Sequence, residues 1–180
     1  TSAKRASDIV DRVRNFSQKK ESEFVQFEVN DEIRNAVQIV DTRMSLQNIT
    51  ADIQLSEKPF ITTGDRIEFQ LLVVNLLQNA VDAYDGYEAT RRKIDISSKS
   101  MGNGKLEICV RDYGKGVDED VAEFIFDSFR TTKDGGTGLG LSISRSVVEN
   151  MGGQISLTPK SGESGGSAFL VQLPGTPACQ

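Results

Sequence analysis

Three places in this sequence combine residue types and spacing that could do chemistry. The first is a polar stripe: Asn75, Asn79 and Asp82 fall at i, i+4 and i+7. At about 100° per residue they lie within roughly 60° of one another on a helix. Their neighbours Ile67, Leu71, Leu72, Val74, Leu76, Leu77, Ala80 and Val81 are apolar almost all round, so the helix is expected to be buried. A buried amide or carboxylate without a partner costs about 1–3 kcal/mol. Either these three bond internally or they face a ligand. A hard cation with phosphates suits them, because amide oxygens ligate Mg²⁺ and Mg²⁺ keeps waters and shares substrate phosphates.

The second place is Val110-Arg-Asp-Tyr-Gly-Lys-Gly116. A strand ends in Asp112 and runs into a loop with Gly114 and Gly116, where glycine allows positive φ and close approach of the backbone. A carboxylate there can accept from an exocyclic amine; taken alone, Asp-x-Gly-x-Gly also reads as a plain turn. The third is Asp134-Gly-Gly-Thr-Gly-Leu-Gly-Leu-Ser-Ile-Ser144, four glycines running into a helix start. Amides at a helix N-terminus bind anions, helped by the macrodipole, and Lys133 just upstream adds charge. The spacing is neither a dinucleotide fingerprint nor a phosphate-binding P-loop. A flexible linker is the other reading, against which Leu139, Leu141 and Ile143 argue.

The rest of the chain must position these groups. Over 180 residues, 21 Lys+Arg against 26 Asp+Glu give a net charge of -5, which disfavours a nucleic-acid or anionic-membrane partner. With 37% hydrophobic and 26% charged residues, the chain has the make-up of a folded domain rather than a disordered one. There is no histidine, so no histidine base, metal ligand or phosphoacceptor is available. Cys109 and Cys179 show no metal-ligand spacing, which excludes a zinc finger or disulfide scaffold and suits a reducing cytoplasm. The longest aliphatic run, Leu71–Val74, is far short of the ~20 residues of a membrane span.

Residues 2–19 read as a helix with a narrow stripe of Ala3, Ala6, Val10 and Val13, followed by a polar linker. The stripe fits a dimerisation element, with a helix docked on its own domain as the alternative. The boundaries are set at 1–19 for that helix, 20–25 for the linker, 26–174 for one domain and 175–180 for a tail. The opening in mid-helix without Met suggests a piece of a longer protein. Alternation predicts strands at 24–29, 49–55, 93–98, 106–111, 154–157 and 168–173. Helices are expected after an Asn30 cap, at about 66–83, and from Gly140 to about Asn150. A hairpin turn is read at Met101–Gly104. The fold class is α+β, helices packed on one face of a mixed, mostly antiparallel sheet.

In this order and spacing the segments resemble the ATP-binding domain of the GHKL superfamily, and within it the sensor histidine kinases. Asn75-Leu-Leu-Gln-Asn79-Ala resembles the N box and Asp112-Tyr-Gly-Lys-Gly116 the first glycine box. Phe126-Asp-Ser-Phe129-Arg-Thr-Thr-Lys133 resembles the F box and Gly136-Thr-Gly-Leu-Gly-Leu141 the second glycine box. Gly152-Gly153 and Gly165–Pro174 are similar to the closing strands, so the likeness covers about 27–174.

The resemblance implies a two-layer α/β sandwich of the Bergerat type. It implies Mg²⁺ on Asn79 with help from Asn75, the adenine amine on Asp112, and purine close to Gly114 and Gly116. It implies a mobile lid over 117–136. The β- and γ-phosphates would be held by Lys133 and the backbone of Thr137, Gly138, Leu139, Gly140 and Leu141, with Asp82, Thr132 and Gly136 completing the ATP-binding set. The cofactors implied are ATP and Mg²⁺. Residues 1–19 resemble the second helix of the kinase dimerisation hairpin, whose first helix carries the phosphoacceptor histidine in these kinases. The implied partners are therefore that hairpin and a response-regulator receiver domain. The fragment is expected as a monomer or weak dimer, the full-length kinase as a homodimer with room for an inner-membrane anchor.

Asp82 and Ala83 stand where many sensor kinases carry a Lys and an aromatic. This form looks more like the nitrogen-regulatory and dicarboxylate-sensing branch. Tyr113 replaces a usual Asn. The gyrase, mismatch-repair and heat-shock ATPases carry a Glu base at the position of Asn75; an amide cannot take a proton at neutral pH, which argues for transfer over hydrolysis. A GHKL serine kinase and a non-catalytic scaffold are the remaining alternatives.

Overall fold

The computed structural model describes residues 24–88, 92–130, 136–159 and 165–177. The helix read at 2–19 lies outside these. The first strand, β1 (Phe24–Glu28), runs straight into α1 (Val29–Leu46). Phe24 and Val25 pair with Asp65 and Gly64, so they are strand residues, as the alternation over 24–29 predicts and the linker bound of 20–25 does not. The helix cap also differs from expectation. The Glu28 carboxylate, rather than the Asn30 side chain, accepts from the Asp31 amide at 2.8 Å. Its other oxygen accepts from Phe60 N–H at 3.1 Å. Val29 is fully buried, which starts the helix two residues earlier and carries Asn30 into the interior. There the Asn30 amide donates to Ser56 O and its oxygen accepts from Ser98 Oγ.

After β2 (Thr50–Gln54) comes a strand that alternation did not reveal, β3 (Phe60–Asp65). It lies between β1 and the short β8 (Thr176–Pro177), which draws the start of the expected tail into a three-stranded sheet. Asp65 caps α2 (Arg66–Asp82) by accepting from Ile67 and Glu68 N–H at 2.9 and 3.0 Å.

The larger sheet has the order β2-β4-β5-β7-β6, with β4 (Lys93–Gly102), β5 (Lys105–Asp112), β6 (Gln154–Thr158) and β7 (Ala168–Pro174). Only β2 and β4 are parallel; the other pairs are antiparallel, as the turn at Met101–Gly104 requires of β4 and β5. One face of this sheet presents Ile94, Ile96, Leu106, Ile108, Val110, Phe169, Val171 and Leu173, all nearly inaccessible. Full burial of such a side chain is worth about 1.5–3 kcal/mol. α1, α2 and α4 (Gly140–Asn150) belong to the same core, with α2 packed between α1 and α4. The opposite face, with Asp52, Asp95, Cys109 and Arg111, remains accessible in part. Two sheets with helices packed on them give the α+β class expected above. Among the described residues no helix is long and apolar enough to cross a membrane.

Candidate functional site

The strand β5 brings a carboxylate to the end of the core face, and α2 runs beside it with its amides. Between them, and bounded by the N-terminus of α4, lies a cleft of about 260 Å³. Asn75, Asn79 and Asp82 from α2, Asp112 and Gly116 from the β5 end, and Gly136, Thr137, Gly138, Gly140 and Leu141 from the glycine run all line it. So three segments up to 66 residues apart (75 to 141) converge on one cavity.

Asp112 is 4% exposed. One carboxylate oxygen accepts from Gly114 N–H at 2.9 Å. The other accepts from Ser167 Oγ at 3.0 Å and Ser167 N–H at 3.3 Å. Burial pushes its carboxyl above the ordinary range, and the bonds from Gly114 and Ser167 pull it part of the way back. The turn after it is fixed by backbone contact. A Cβ on Gly114 would stand 2.4 Å from Ala83 O, so this glycine is required by the end of α2 rather than by a ligand. Gly116 has φ +68 and does line the cleft.

The three polar residues of α2 do not share one role. Asp82 accepts from the Arg43 guanidinium of α1, so its charge is largely compensated before any ligand arrives. Asn75 donates to Ser144 Oγ at 3.0 Å, and Ser144 in turn donates to Gly140 O. A Cβ on Gly140 would approach Asn75 Oδ1 to 2.6 Å. Asn75 therefore holds the first turn of α4 against α2. Asn79 stands one turn further along, at the cleft.

The N-terminus of α4 has no side-chain cap, and Leu139 precedes it with its side chain buried. Gly138 has φ +65 and its Cβ would fall 2.6 Å from Arg130 N. Together with the Phe129 N–H bond to Gly138 O at 2.9 Å, this sets Gly138 directly against Phe129 and Arg130. Thr132 and Lys133 lie outside the described residues. Upstream, the segment expected as a lid contains α3 (Glu119–Ala122) and is pinned by Phe126, which meets Phe169 edge-on at 6.3 Å. The Arg145 guanidinium sits over that ring, 4.5 Å from its centroid.

Sequence reading missed Lys115, Arg130, Ser167 and Phe169 among the lining residues. Arg130 stands within the F-box segment quoted above, and Ser167 starts the closing strand. Neither carried a spacing signal of its own. Asn75, Asn79 and the Arg43-paired Asp82 are the polar side chains that α2 brings to the cleft. Among the described residues no group of three or more His, Cys, Asp or Glu could hold a metal. A cation here would take most of its shell from water and ligand oxygens, which is how Mg²⁺ binds beside phosphates.

Comparison with known proteins followed the same lines. The profile of the histidine kinase-, DNA gyrase B- and HSP90-like ATPases matches residues 64–177. The sensor protein FixL of Bradyrhizobium diazoefficiens is 34% identical over 172 residues, covering 96% of this chain and 33% of that protein. The C4-dicarboxylate transport sensor protein DctB of Rhizobium meliloti is 30% identical, covering 94% and 26%. The solved structure of histidine kinase ThkA in complex with response regulator protein TrrA superposes with a TM-score of 0.76 at 28% identity, covering 98% of this chain and 49% of that one. The chain spans about a third or less of the length of the curated relatives it matches.

Proposed function

The chain belongs to the histidine kinase-, DNA gyrase B- and HSP90-like ATPase family, as an ATP-binding catalytic domain of the sensor histidine kinase kind, and on that premise we propose how its cleft works. The adenine amine donates to Asp112. The phosphates run along α2 toward the uncapped N-terminus of α4, where free amides and the macrodipole favour anions. Thr132, Lys133, Lys115 and Arg130 add donors and positive charge around them. Asn79 holds Mg²⁺, which neutralises charge on the phosphate oxygens when bound.

The γ-phosphoryl passes to a histidine on a dimerisation hairpin, which the present residues, having no histidine, do not supply. The imidazole nitrogen forms the P–N bond as the bond from γ-phosphorus to the bridging oxygen breaks, and ADP leaves with that electron pair. Phosphoryl transfer asks mainly for positioning and charge neutralisation, which this site offers. The phosphoryl then moves to a response-regulator aspartate; the ThkA–TrrA complex is the support for such a partner. A homodimeric full-length kinase with its own sensor region completes the proposal.

The observation that carries this reading is the amide at position 75. The water-activating carboxylate of a hydrolase would sit there, and here Asn75 is bonded to Ser144 instead. Calorimetric titration tests it. ATP is expected to bind in the micromolar range, about -8 kcal/mol, and more tightly with Mg²⁺. Asn79→Ala is expected to remove the Mg²⁺ sensitivity and about tenfold or more in affinity. Label from γ-labelled ATP is expected on an added histidine-bearing hairpin, with next to no steady hydrolysis by the chain alone. Steady hydrolysis that Asn79→Ala abolishes would mean an ATPase; no binding at all would mean a scaffold.

Asp112 also gives the site a pH dependence of known sign. Its folded pKa is raised, so the carboxyl's own contribution to apo stability is full at low pH and is lost as pH rises through that raised value. An adenine amine needs the ionised acceptor. ATP affinity is therefore expected to be full above the raised value and to fall as pH drops through it. The ratio of wild-type to Asp112→Asn affinities removes the titration of the nucleotide itself. A ratio flat with pH from neutrality down to the acid unfolding limit would contradict the assignment.

A further inference from the structure

We propose that Tyr84 is a positioning residue for the nucleotide site: it locks the Asp112 turn to the end of α2, and so sets how the adenine acceptor lies relative to Asn79. The inference rests on the reading above that Asp112 accepts from adenine. Tyr84 lies just beyond the last residue of α2 and is 1% exposed. Its hydroxyl uses every bond it can make. It donates to Lys93 O and accepts from Lys93 N–H at 3.0 Å and from Tyr113 N–H at 3.1 Å. One buried oxygen thus joins the end of α2, the start of β4 and the residue directly after Asp112.

Neighbouring bonds make this junction rigid. Lys115 N–H donates to Ala83 O at 3.0 Å, and the missing Cβ of Gly114 lets the same carbonyl close in. From the outer face the Tyr113 hydroxyl donates to Asp95, which pairs with Lys93 Nζ at 2.8 Å. Tyr113 is therefore held from inside by its amide and from outside by its side chain, which accounts for an aromatic residue at this place in the turn. The side chains in the outer bonds are partly exposed, and such bonds are worth little by themselves. The inner oxygen has no solvent substitute, since removing it leaves the amides of Lys93 and Tyr113 without an acceptor. Burial holds the Tyr84 phenol above its ordinary range, so it stays protonated and keeps its bond to Lys93 O.

The geometry also says what Tyr84 should not affect. The glycine run and the N-terminus of α4 are braced separately, by Asn75 and Ser144. Loss of the Tyr84 hydroxyl should misplace the base acceptor while leaving the phosphate end in register. Affinities for ATP and inosine triphosphate, measured by calorimetry with Mg²⁺, separate the two ends, because inosine presents a carbonyl where adenine presents its amine.

In the wild type ATP is expected to bind at least about tenfold more tightly than inosine triphosphate, and in Asp112→Asn that preference should vanish. In Tyr84→Phe the preference is expected to shrink to about threefold or less, with inosine triphosphate affinity nearly unchanged. A Tyr84→Phe protein that keeps the wild-type preference, however far its melting temperature falls, overturns the inference and leaves Tyr84 a structural brace. A wild type without any preference overturns the adenine reading, and this inference with it. A measurement on the wild type alone guards against a variant that does not fold. Tyr113 and Lys115 amides are expected to exchange hydrogen at least about a hundredfold more slowly than open loop amides. Exchange at the open-loop rate means there is no lock.

Discussion

Asp112→Asn is expected to weaken ATP binding about 100-fold, a loss near 2.7 kcal/mol, while the domain stays folded. The reasons lie in the three donors around the carboxylate. Gly114 N–H takes one oxygen, and Ser167 N–H and Oγ take the other. An amide of the same shape can satisfy only one of these sets, because its NH₂ must face the second. That costs stability, offset in part by removing a charge that burial already disfavours. No such offset operates in the complex. There the adenine amine loses a charged acceptor, a bond worth about 1.5–3 kcal/mol, and meets an amide with little acceptor capacity left over. Calorimetry on the folded variant, checked by circular dichroism, measures the change. A dissociation constant within about threefold of wild type would remove Asp112 from the nucleotide contact.

Gly166→Ala should be the most damaging of the glycine substitutions near the site. Gly166 has φ +79, and its N–H donates to Gly114 O at 2.7 Å. An added Cβ would stand 2.2 Å from Asp112 O and 2.7 Å from Tyr113 Cα, both main chain. No rotamer change relieves such a contact; the turn or the strand start must move. The left-handed backbone alone costs about 1–2 kcal/mol in a residue with a Cβ. With the displacement added, a total above about 3 kcal/mol is expected, at the severe end for one substitution. For a domain of this size that lowers the melting temperature by roughly 10 °C. Because the part that moves is the Asp112 turn, ATP affinity should fall about tenfold or more even where the protein is fully folded. Gly86→Ala is the control. Gly86 has φ +68 but open space around its Cβ position, so it carries only the backbone cost. Equal melting temperatures for the two variants would show that the contact over Asp112 is slack.

Local pattern made much of this protein readable. Alternation in β4, β5 and β7 matches the alternating burial of the sheet, because a half-buried strand must place apolar residues at every second position. The apolar wrap of α2 matches its place at the centre of the core, and the glycine run before α4 does mark a helix start. Asn75, Asn79, Asp82 and Asp112 were legible as polar groups that could share one site, and all four line the cleft. Their types and spacing also carried the likeness to the kinase family, since an ATP site imposes amides, a carboxylate and glycines in a set order.

Other features had no local signal. β3 reads Phe60-Ile-Thr-Thr-Gly-Asp65, with small and polar residues where a stronger strand would alternate, and it is a strand because β1 and β8 pair with it. Asn30 has the side chain of a helix cap, yet burial of Val29 takes it inside and hands the cap to Glu28. Asp82 reads as the end of a polar stripe, and nothing local shows that Arg43, 39 positions away, reaches it. Ser167 lies 55 positions from the carboxylate it holds.

What the sequence by itself determined, then, is the period of each strongly patterned element and the chemical types at the site. Both follow from side chains within a few turns of one another. What only the tertiary structure decided is which neighbours engage those polar groups around the cleft. Asn75 and Asp82 are engaged by Ser144 and Arg43, Asp112 is held by Gly114 and Ser167, and its turn is locked by Tyr84. A hydrogen bond acts over about 3 Å and depends on direction. It exists only once distant segments have been packed against the same core, and residue spacing along the chain carries no record of that.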